Sequence, residues 1–248
     1  MRRPSSEAVE DDSAGLQAVG DLMAGLLLLF MLLAMVFAMS LSRTEQARVI
    51  EIDALTRAAG DQQHLRTGIV EHLTSAGVPV TIAQEPGVVR LGEGAIRFAP
   101  GQHRSDDPIT LAALDRLADA LAETLPDYAC TRAPDGCPQA PVAALESVLI
   151  EGHSDTVDRL DDCDNHCLSA RRASWTRAQL LARRPGLDEL RSRGGQPLFG
   201  VNGYGPDRTV TGKGASECAA DGAACREDRR IEVRLRMEAP HHLLAEQP

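Results

Sequence analysis

One acidic side chain stands at the beginning of an apolar stretch, where it could take part in proton or ion chemistry. Asp21 directly precedes the run from Leu22 to Leu41, which contains no charged residue. At about 1.5 Å per residue, a helix of about twenty residues is roughly 30 Å long, which matches the hydrocarbon core of a bilayer. Ionisable groups at membrane depth are costly and usually mark a partner, an ion path or a proton relay. The alternative is that Asp21 only caps the helix at headgroup level, where its charge costs little.

Four short sequence blocks, several with polar or charged residues, occur in a fixed order through the C-terminal half of the chain. The blocks are Gly152 to Asp155, then Asn165 with Leu168, Ser169, Arg172 and Ala173, then Gly203 to Gly205, then Asp228 to Arg230. Their order resembles the OmpA-like peptidoglycan-binding domain over roughly residues 80–238. The resemblance implies that Asp155 and Arg172, assisted by Asn165, bind the diaminopimelate part of a wall peptide. Leu168 would then shape the wall of the pocket.

The residue types suit such a ligand, because diaminopimelate presents ammonium and carboxylate groups together. A fixed anion at Asp155 can bind the ammonium, and the planar fork of Arg172 can bind a carboxylate through two hydrogen bonds. The alternative is that Asp155 and Arg172 pair with each other while Asn165 caps the second helix of the domain. The chain departs from the family in the loop from Asp155 to Asn165, which is longer and contains Cys163.

The N-terminal stretch carries another resemblance. Asp21 followed by Leu22, Met23, Ala24 and Gly25 is similar to the B subunits of ion-driven stators, the MotB, ExbD and TolR group. This similarity implies a homodimer inside a pentamer of a multi-span A subunit, with Asp21 carrying a proton or sodium ion and no other cofactor. Gly25 lies one turn after Asp21 on the same helix face, where a missing side chain would let a neighbouring helix approach closely.

Within that group, the compact tail, the leucine-rich span and the cysteine-rich domain most resemble the B subunit of the Zorya anti-phage defence system. Flagellar MotB-type subunits have the same layout and remain an alternative. A passive OmpA-like wall tether without ion flow is another. An enzyme is not expected, because we find no nucleophile with a plausible base or metal set.

The cysteines bear on both structure and compartment. All of them lie beyond the apolar run and fall into three close pairs: Cys130 and Cys137, Cys163 and Cys167, Cys218 and Cys225. Local spacing favours three short disulfide loops, which form in an oxidising compartment such as the periplasm. A zinc site built from Cys163, His166, Cys167 and His153 is the alternative.

The cysteines also favour one membrane orientation. Arg2 and Arg3 precede the apolar run and Arg43 and Arg48 follow it, so the positive-inside rule is nearly tied. Disulfide loops require the large C-terminal part to be outside the cytoplasm. We therefore expect a single-pass inner-membrane protein with a cytoplasmic N-terminus and a periplasmic domain. A cleavable signal peptide, cut within 38–40, is the alternative, although the apolar run exceeds the usual signal core.

Composition excludes a nucleic-acid partner. The net charge is −10 and aromatic residues make up 3% of the chain. Phosphate binding needs a basic stripe and base stacking needs several exposed rings. We expect neither surface.

Periodicity divides the chain into segments. We predict a cytoplasmic tail over 1–20, a transmembrane helix over 21–42, a helical linker over 43–79 interrupted at Gly60, a compact domain over 80–238, and a loose tail over 239–248. In the domain, the pattern predicts strands at Val88–Leu91, Ala95–Phe98, Ser147–Glu151, Leu198–Val201 and Ile231–Met237, and helices from Pro108 to Pro126 and from Leu168 to Arg184. Strands interleaved with two helices predict a two-layer α/β domain.

Overall fold

The computed structural model describes residues 6–131, 136–139, 142–157 and 163–238. The predicted tail at 239–248 lies outside these residues. Contacts divide the chain into two units, and the second begins at Ala54. The elements in chain order are helix α1 (Ser6–Ser75), strands β1 (Thr81–Ile82) and β2 (Val88–Gly92), helix α2 (Pro108–Thr124), strand β3 (Leu145–His153), helix α3 (Asn165–Arg183), strand β4 (Phe199–Gly203), helix α4 (Ala215–Ala220) and strand β5 (Arg230–Met237).

Helix α1 includes the apolar run, and by length and composition it could cross a membrane. Its large apolar side chains there are exposed; Leu22 is 68% and Phe37 70% accessible. Such a contiguous apolar surface is costly in water and is typical of a lipid-facing segment. The tail predicted for residues 1–20 is helical from Ser6 onward, because a helix extends readily from a segment that is already helical.

The C-terminal part of α1 belongs to the compact domain. Leu65, Ile69 and Leu73 lie on one helix face and are buried in the domain core. The helix continues through Gly60, where sequence periodicity predicted an interruption. A glycine inside a helix costs only about 1 kcal/mol relative to alanine, which tertiary packing offsets. The helical linker predicted for residues 43–79 is therefore helical as far as Ser75, and its second half packs as part of the domain.

The domain has a five-stranded sheet in the order β1-β2-β5-β3-β4. Strands β3 and β4 are parallel, and the other neighbours are antiparallel. Helix α3 is the connection that joins the parallel pair, as a parallel pair requires. The predicted two-layer α/β fold is confirmed, with one sheet face packed against α2, α3 and the end of α1.

Helix α2 begins as the sequence predicts. The Asp107 carboxylate accepts a hydrogen bond from the Thr110 N–H at 3.1 Å, and Pro108 occupies the first turn. Leu114, Leu117 and Leu121 are fully buried along one face. The helix ends at Thr124, shortly before Pro126.

The strand predicted at Ala95–Phe98 is wrong. The chain turns there, and the N–H groups of Ala95 and Ile96 both donate to the Gly92 carbonyl at 2.9 Å. Ala95 and Ile96 are apolar because both are buried in the core, not because they alternate along a strand. This turn leads into the segment that borders the candidate site.

Candidate ligand-binding cavity

A cavity of about 810 Å³ lies beside the end of β3 and the beginning of α3. All four residues that the sequence predicts for wall binding line it, namely Asp155, Asn165, Leu168 and Arg172. The fold therefore brings the predicted set together, although Asp155 and Arg172 are separated along the chain by a loop and two turns of helix.

Two glycines of the motif set the distance between α3 and the sheet. A Cβ atom at Gly152 would clash with the backbone of Ser169, and one at Gly203 would clash with Ala170. Gly152 and Gly203 are paired across β3 and β4, so together they form a flat patch under the helix. The close packing places Asn165 and Arg172 beside Asp155.

Asn165 holds the loop that follows Asp155. Its side-chain amide donates to the Val157 carbonyl at 2.8 Å and to the Asp155 carbonyl at 3.3 Å. The alternative that Asn165 caps α3 is wrong, because Asp164 is the cap and accepts from the Cys167 N–H at 2.8 Å. Asn165 thus orders the backbone around the Asp155 carboxylate.

Arg172 is buried, and it links α3 to the opposite wall of the cavity. Its Nε donates to the Gln102 carbonyl at 2.9 Å and its Nη2 to the Ala99 carbonyl at 3.3 Å. The guanidinium also lies 5.0 Å from the centre of the Phe98 ring. These contacts fix the orientation of the planar guanidinium group at the wall of the cavity.

Arg229 is the residue that sequence reasoning missed. Its Nη1 contacts Asp155 Oδ2 at 2.6 Å, and its Nη2 contacts Glu93 Oε2 at 3.2 Å. The hydrogen bonds that Arg229 donates to Glu93 and then to Asp155 raise its pKa above the usual value, so the group stays charged. Its only signal in the sequence is its place in the Asp228 to Arg230 block, because its partners are distant along the chain.

The cavity therefore presents both signs of charge. Among the described residues, its carboxylates are Glu93 and Asp155 and its guanidinium groups are Arg97, Arg172 and Arg229. Carboxylates bind ammonium groups, and guanidinium groups bind carboxylates through paired hydrogen bonds. The arrangement suits a zwitterionic ligand.

A buried polar cluster lies on the opposite face of the sheet from the core. The register places Glu151 opposite Glu232 and His153 opposite Arg230. Arg230 Nε contacts Glu232 Oε1 at 2.7 Å, and Arg234 Nε contacts Glu151 Oε2 at 2.9 Å. Burial lowers the pKa of His153, whose ring stacks on Tyr204 with 5.4 Å between centres. The cluster pairs buried acids with arginines directly beneath the end of β3.

We expect the domain to lose stability in two steps as the pH falls. His153 has a folded-state pKa below its usual 6.5, so the unfolded state binds more protons and stability declines once the pH drops below about 6.5. Burial alone would raise the pKa of Glu232, but its contacts with His153 and Arg230 outweigh burial and hold the pKa well below its usual 4.5. A second decline is therefore expected below about pH 4.5.

Urea denaturation of the full chain in detergent at several pH values measures both declines. A His153→Gln variant removes the titrating imidazole, so its stability should change much less between about pH 6.5 and 5.5. An unchanged pH profile in this variant would contradict the assignment of the first decline to His153.

The cysteines pair as local spacing predicts. The structure contains the bonds Cys130–Cys137, Cys163–Cys167 and Cys218–Cys225. The zinc alternative is wrong, because the sulfurs of Cys163 and Cys167 are bonded to each other and His153 is buried under the sheet.

Comparison with known proteins identifies the class of fold. No family model matches the chain, and no curated protein matches it. The fold is that of a MotB-like protein among solved structures.

The particular structures are distant in sequence. A MotB-like protein from Desulfovibrio vulgaris is 17% identical, with a TM-score of 0.50 over 73% of this chain and 96% of that chain. The cell wall anchor of the T6SS from Pseudomonas aeruginosa is 21% identical, with a TM-score of 0.44 over 71% and 99% of the two chains. The OmpA-like domain of FopA1 from Francisella tularensis is 16% identical, with a TM-score of 0.37 over 64% and 81%.

Proposed function

We propose that the domain anchors the protein to peptidoglycan by binding the diaminopimelate residue of a wall peptide. The observation that carries this proposal is the convergence of Asp155, Asn165, Leu168 and Arg172 on one cavity with both signs of charge. Diaminopimelate has an ammonium and a carboxylate on the same carbon, so it needs an anion and a guanidinium a few ångströms apart. Asp155 would bind the ammonium and Arg172 the carboxylate, while Leu168 would contact the aliphatic chain.

A sedimentation assay with purified sacculi tests the anchor. The detergent-solubilised chain should co-sediment with sacculi that contain diaminopimelate, and much less with sacculi in which lysine replaces it. The variant Asn165→Ala/Arg172→Ala should weaken retention roughly tenfold to a hundredfold, since hydrogen bonds to charged groups contribute about 1.5–3 kcal/mol each.

Arg177→Ala is the matched control, because Arg177 is on the same helix and donates to the Phe199 carbonyl outside the cavity. It should bind sacculi like the unmodified chain. Circular dichroism would confirm that each variant is folded. Equal retention of the unmodified chain and the Asn165→Ala/Arg172→Ala variant would refute the proposed site.

We further propose that the anchored chain is the B subunit of an ion-driven motor in the inner membrane. Asp21 is exposed at the beginning of the apolar run of α1, where a partner subunit could reach its carboxyl group. In this proposal, two copies act inside a pentameric multi-span A subunit, with the N-terminus in the cytoplasm and the domain in the periplasm. The three disulfides support the oxidising compartment. An ion-driven ring does useful work only if one part is held still, and the wall provides a fixed frame.

The anti-phage defence motor of the Zorya type is the particular motor that we propose. This proposal rests on three features that resemble the B subunit of that system: the short N-terminal segment, the leucine-rich span and the cysteine-rich domain. The ion is a proton or a sodium ion, translocated through Asp21. A flagellar stator would share the same mechanism with a different output.

A further inference from the structure

The segment between Cys218 and Cys225 forms part of the wall of the binding cavity. Cys218, Ala219 and Gly222 all line the cavity beside Arg229. The segment contains the end of α4, which is only 6 residues long. A helix this short is not stable by itself and depends on tertiary contacts.

The buried part of the segment is its disulfide, and Arg226 adds an exposed ion pair with Glu93 at 3.6 Å. Throughout 215–227, all of which the structure describes, only Cys218 and Cys225 are buried, at 2% and 0% accessible. Lys213 contributes one hydrogen bond, from its Nζ to the Ala224 carbonyl at 3.2 Å. A segment with few buried contacts opens locally at low cost, and a disulfide restricts such opening by limiting the conformations of the open loop.

The segment contacts Arg229, one member of the ion pair in the cavity, and Thr156, the residue that follows the other member. The Gly222 carbonyl accepts a hydrogen bond from Arg229 Nη2 at 2.9 Å, while Arg229 Nη1 contacts Asp155 at 2.6 Å. On the other side, the Thr156 hydroxyl lies 3.3 Å from the Cys218 sulfur, and Thr156 directly follows Asp155. The disulfide therefore lies between the two segments that carry the charged pair.

We propose that the Cys218–Cys225 disulfide positions the ligand-binding groups by holding Gly222 against Arg229 and thereby fixing Arg229 on Asp155. Without this bond the segment is free to open, Gly222 moves away, and Arg229 turns away from Asp155 while it stays bonded to Glu93. Asp155 is then left without its fixed orientation for the ligand ammonium. The part of this inference that concerns ligand affinity rests on the proposed function.

The test compares two disulfides in the full chain in detergent. Cys218→Ser/Cys225→Ser removes the bond at the cavity, and Cys130→Ser/Cys137→Ser removes a bond of the same sequence separation whose cysteines do not line the cavity. The probe is the tripeptide L-Ala–γ-D-Glu–meso-diaminopimelate, titrated by calorimetry. We expect at least a tenfold loss of affinity in the first variant and less than a twofold change in the second. Equal affinities in both variants would overturn the proposal.

A double-mutant cycle separates positioning from general destabilisation. If the disulfide acts through Arg229, removing it in an Arg229→Ala background should cause less than a twofold further loss of affinity. Additive losses would show that the bond acts elsewhere and would overturn the proposal. Cys218→Ala/Cys225→Val, which refills the buried space with apolar groups, provides a second variant if the serine pair does not fold.

Hydrogen exchange of the Arg229 Nη1–H, which donates to Asp155, is followed by NMR without ligand and tests positioning independently of binding. Exchange should be slow in the unmodified chain and in the Cys130→Ser/Cys137→Ser control, and at least tenfold faster in Cys218→Ser/Cys225→Ser. Unchanged exchange would overturn the proposal even if affinity falls. Failure of the unmodified chain to bind the tripeptide would refute the proposed function, while faster exchange in the variant would still support the positioning of Arg229.

Discussion

Replacing Asp155 by asparagine should weaken binding of a diaminopimelate tripeptide by roughly a hundredfold, or about 2.7 kcal/mol. The substitution keeps the size of the side chain and an oxygen that can accept from the Val157 N–H, which now donates to Asp155 Oδ1 at 3.3 Å. It removes the negative charge that Asp155 offers to the ligand ammonium. The Asp155 side chain is only 14% exposed, so solvent screens its charge weakly.

The loss should appear without unfolding, because Arg229 retains Glu93 as a partner. Calorimetric titration of the full chain in detergent measures the affinity, and thermal unfolding measures stability. Asp188→Asn is the matched control, since the Asp188 side chain is 66% exposed and is 4.0 Å from Arg177. An Asp155→Asn variant that binds as tightly as the Asp188→Asn control would show that Asp155 does not contact the ligand.

The elements that the sequence predicts best are those with local signals. Helix α2 carries a cap at Asp107, a proline in its first turn and leucines at helical spacing, and each signal arises within the helix itself. Strand β5 alternates apolar and charged residues, and its core face is buried as predicted. Local patterns of this kind depend on no contact with a distant segment.

Other features depend on contacts that no local pattern encodes. The charged face of β5 also contains buried residues, because Arg230 and Glu232 meet His153 and Glu151 from β3. Alternation along one strand shows two faces but does not show what covers the second. The C-terminal end of α1 similarly packs into the core, although its own sequence is also compatible with a separate linker helix.

The candidate site also has some residues that local motifs predict and others whose positions depend on distant contacts. Asp155, Asn165 and Arg172, which the motif order groups together, line one cavity. The partner of Asp155 is nevertheless Arg229, whose position depends on the register of β5 against β3 and on the loop closed by Cys218 and Cys225. Long-range pairing of this kind follows from the tertiary structure, so residue types and spacing alone do not predict it.

Replacing Asp21 by asparagine should abolish ion flow and the cellular output of the proposed motor while leaving wall binding intact. Asparagine has almost the same shape as aspartate but cannot exchange a proton or neutralise a sodium ion. Asp21 lies on α1, far along the sequence from the cavity residues, and it precedes a segment that contains no other charged group. The carboxyl is therefore the only group between residues 21 and 41 that could carry the ion by changing its charge.

The comparison uses cells that produce the chain together with its multi-span partner. Proton or sodium uptake is measured with a fluorescent indicator, and output is measured as protection from phage, or as swimming in the flagellar alternative. Glu45→Gln is the matched control, because Glu45 lies just beyond the apolar run and its side chain is 62% exposed. Asp21→Asn should reduce both readouts to background, Glu45→Gln should change neither, and both variants should co-sediment with sacculi. Full output from Asp21→Asn would refute ion carriage by this residue and would favour a passive tether that holds the membrane to the wall.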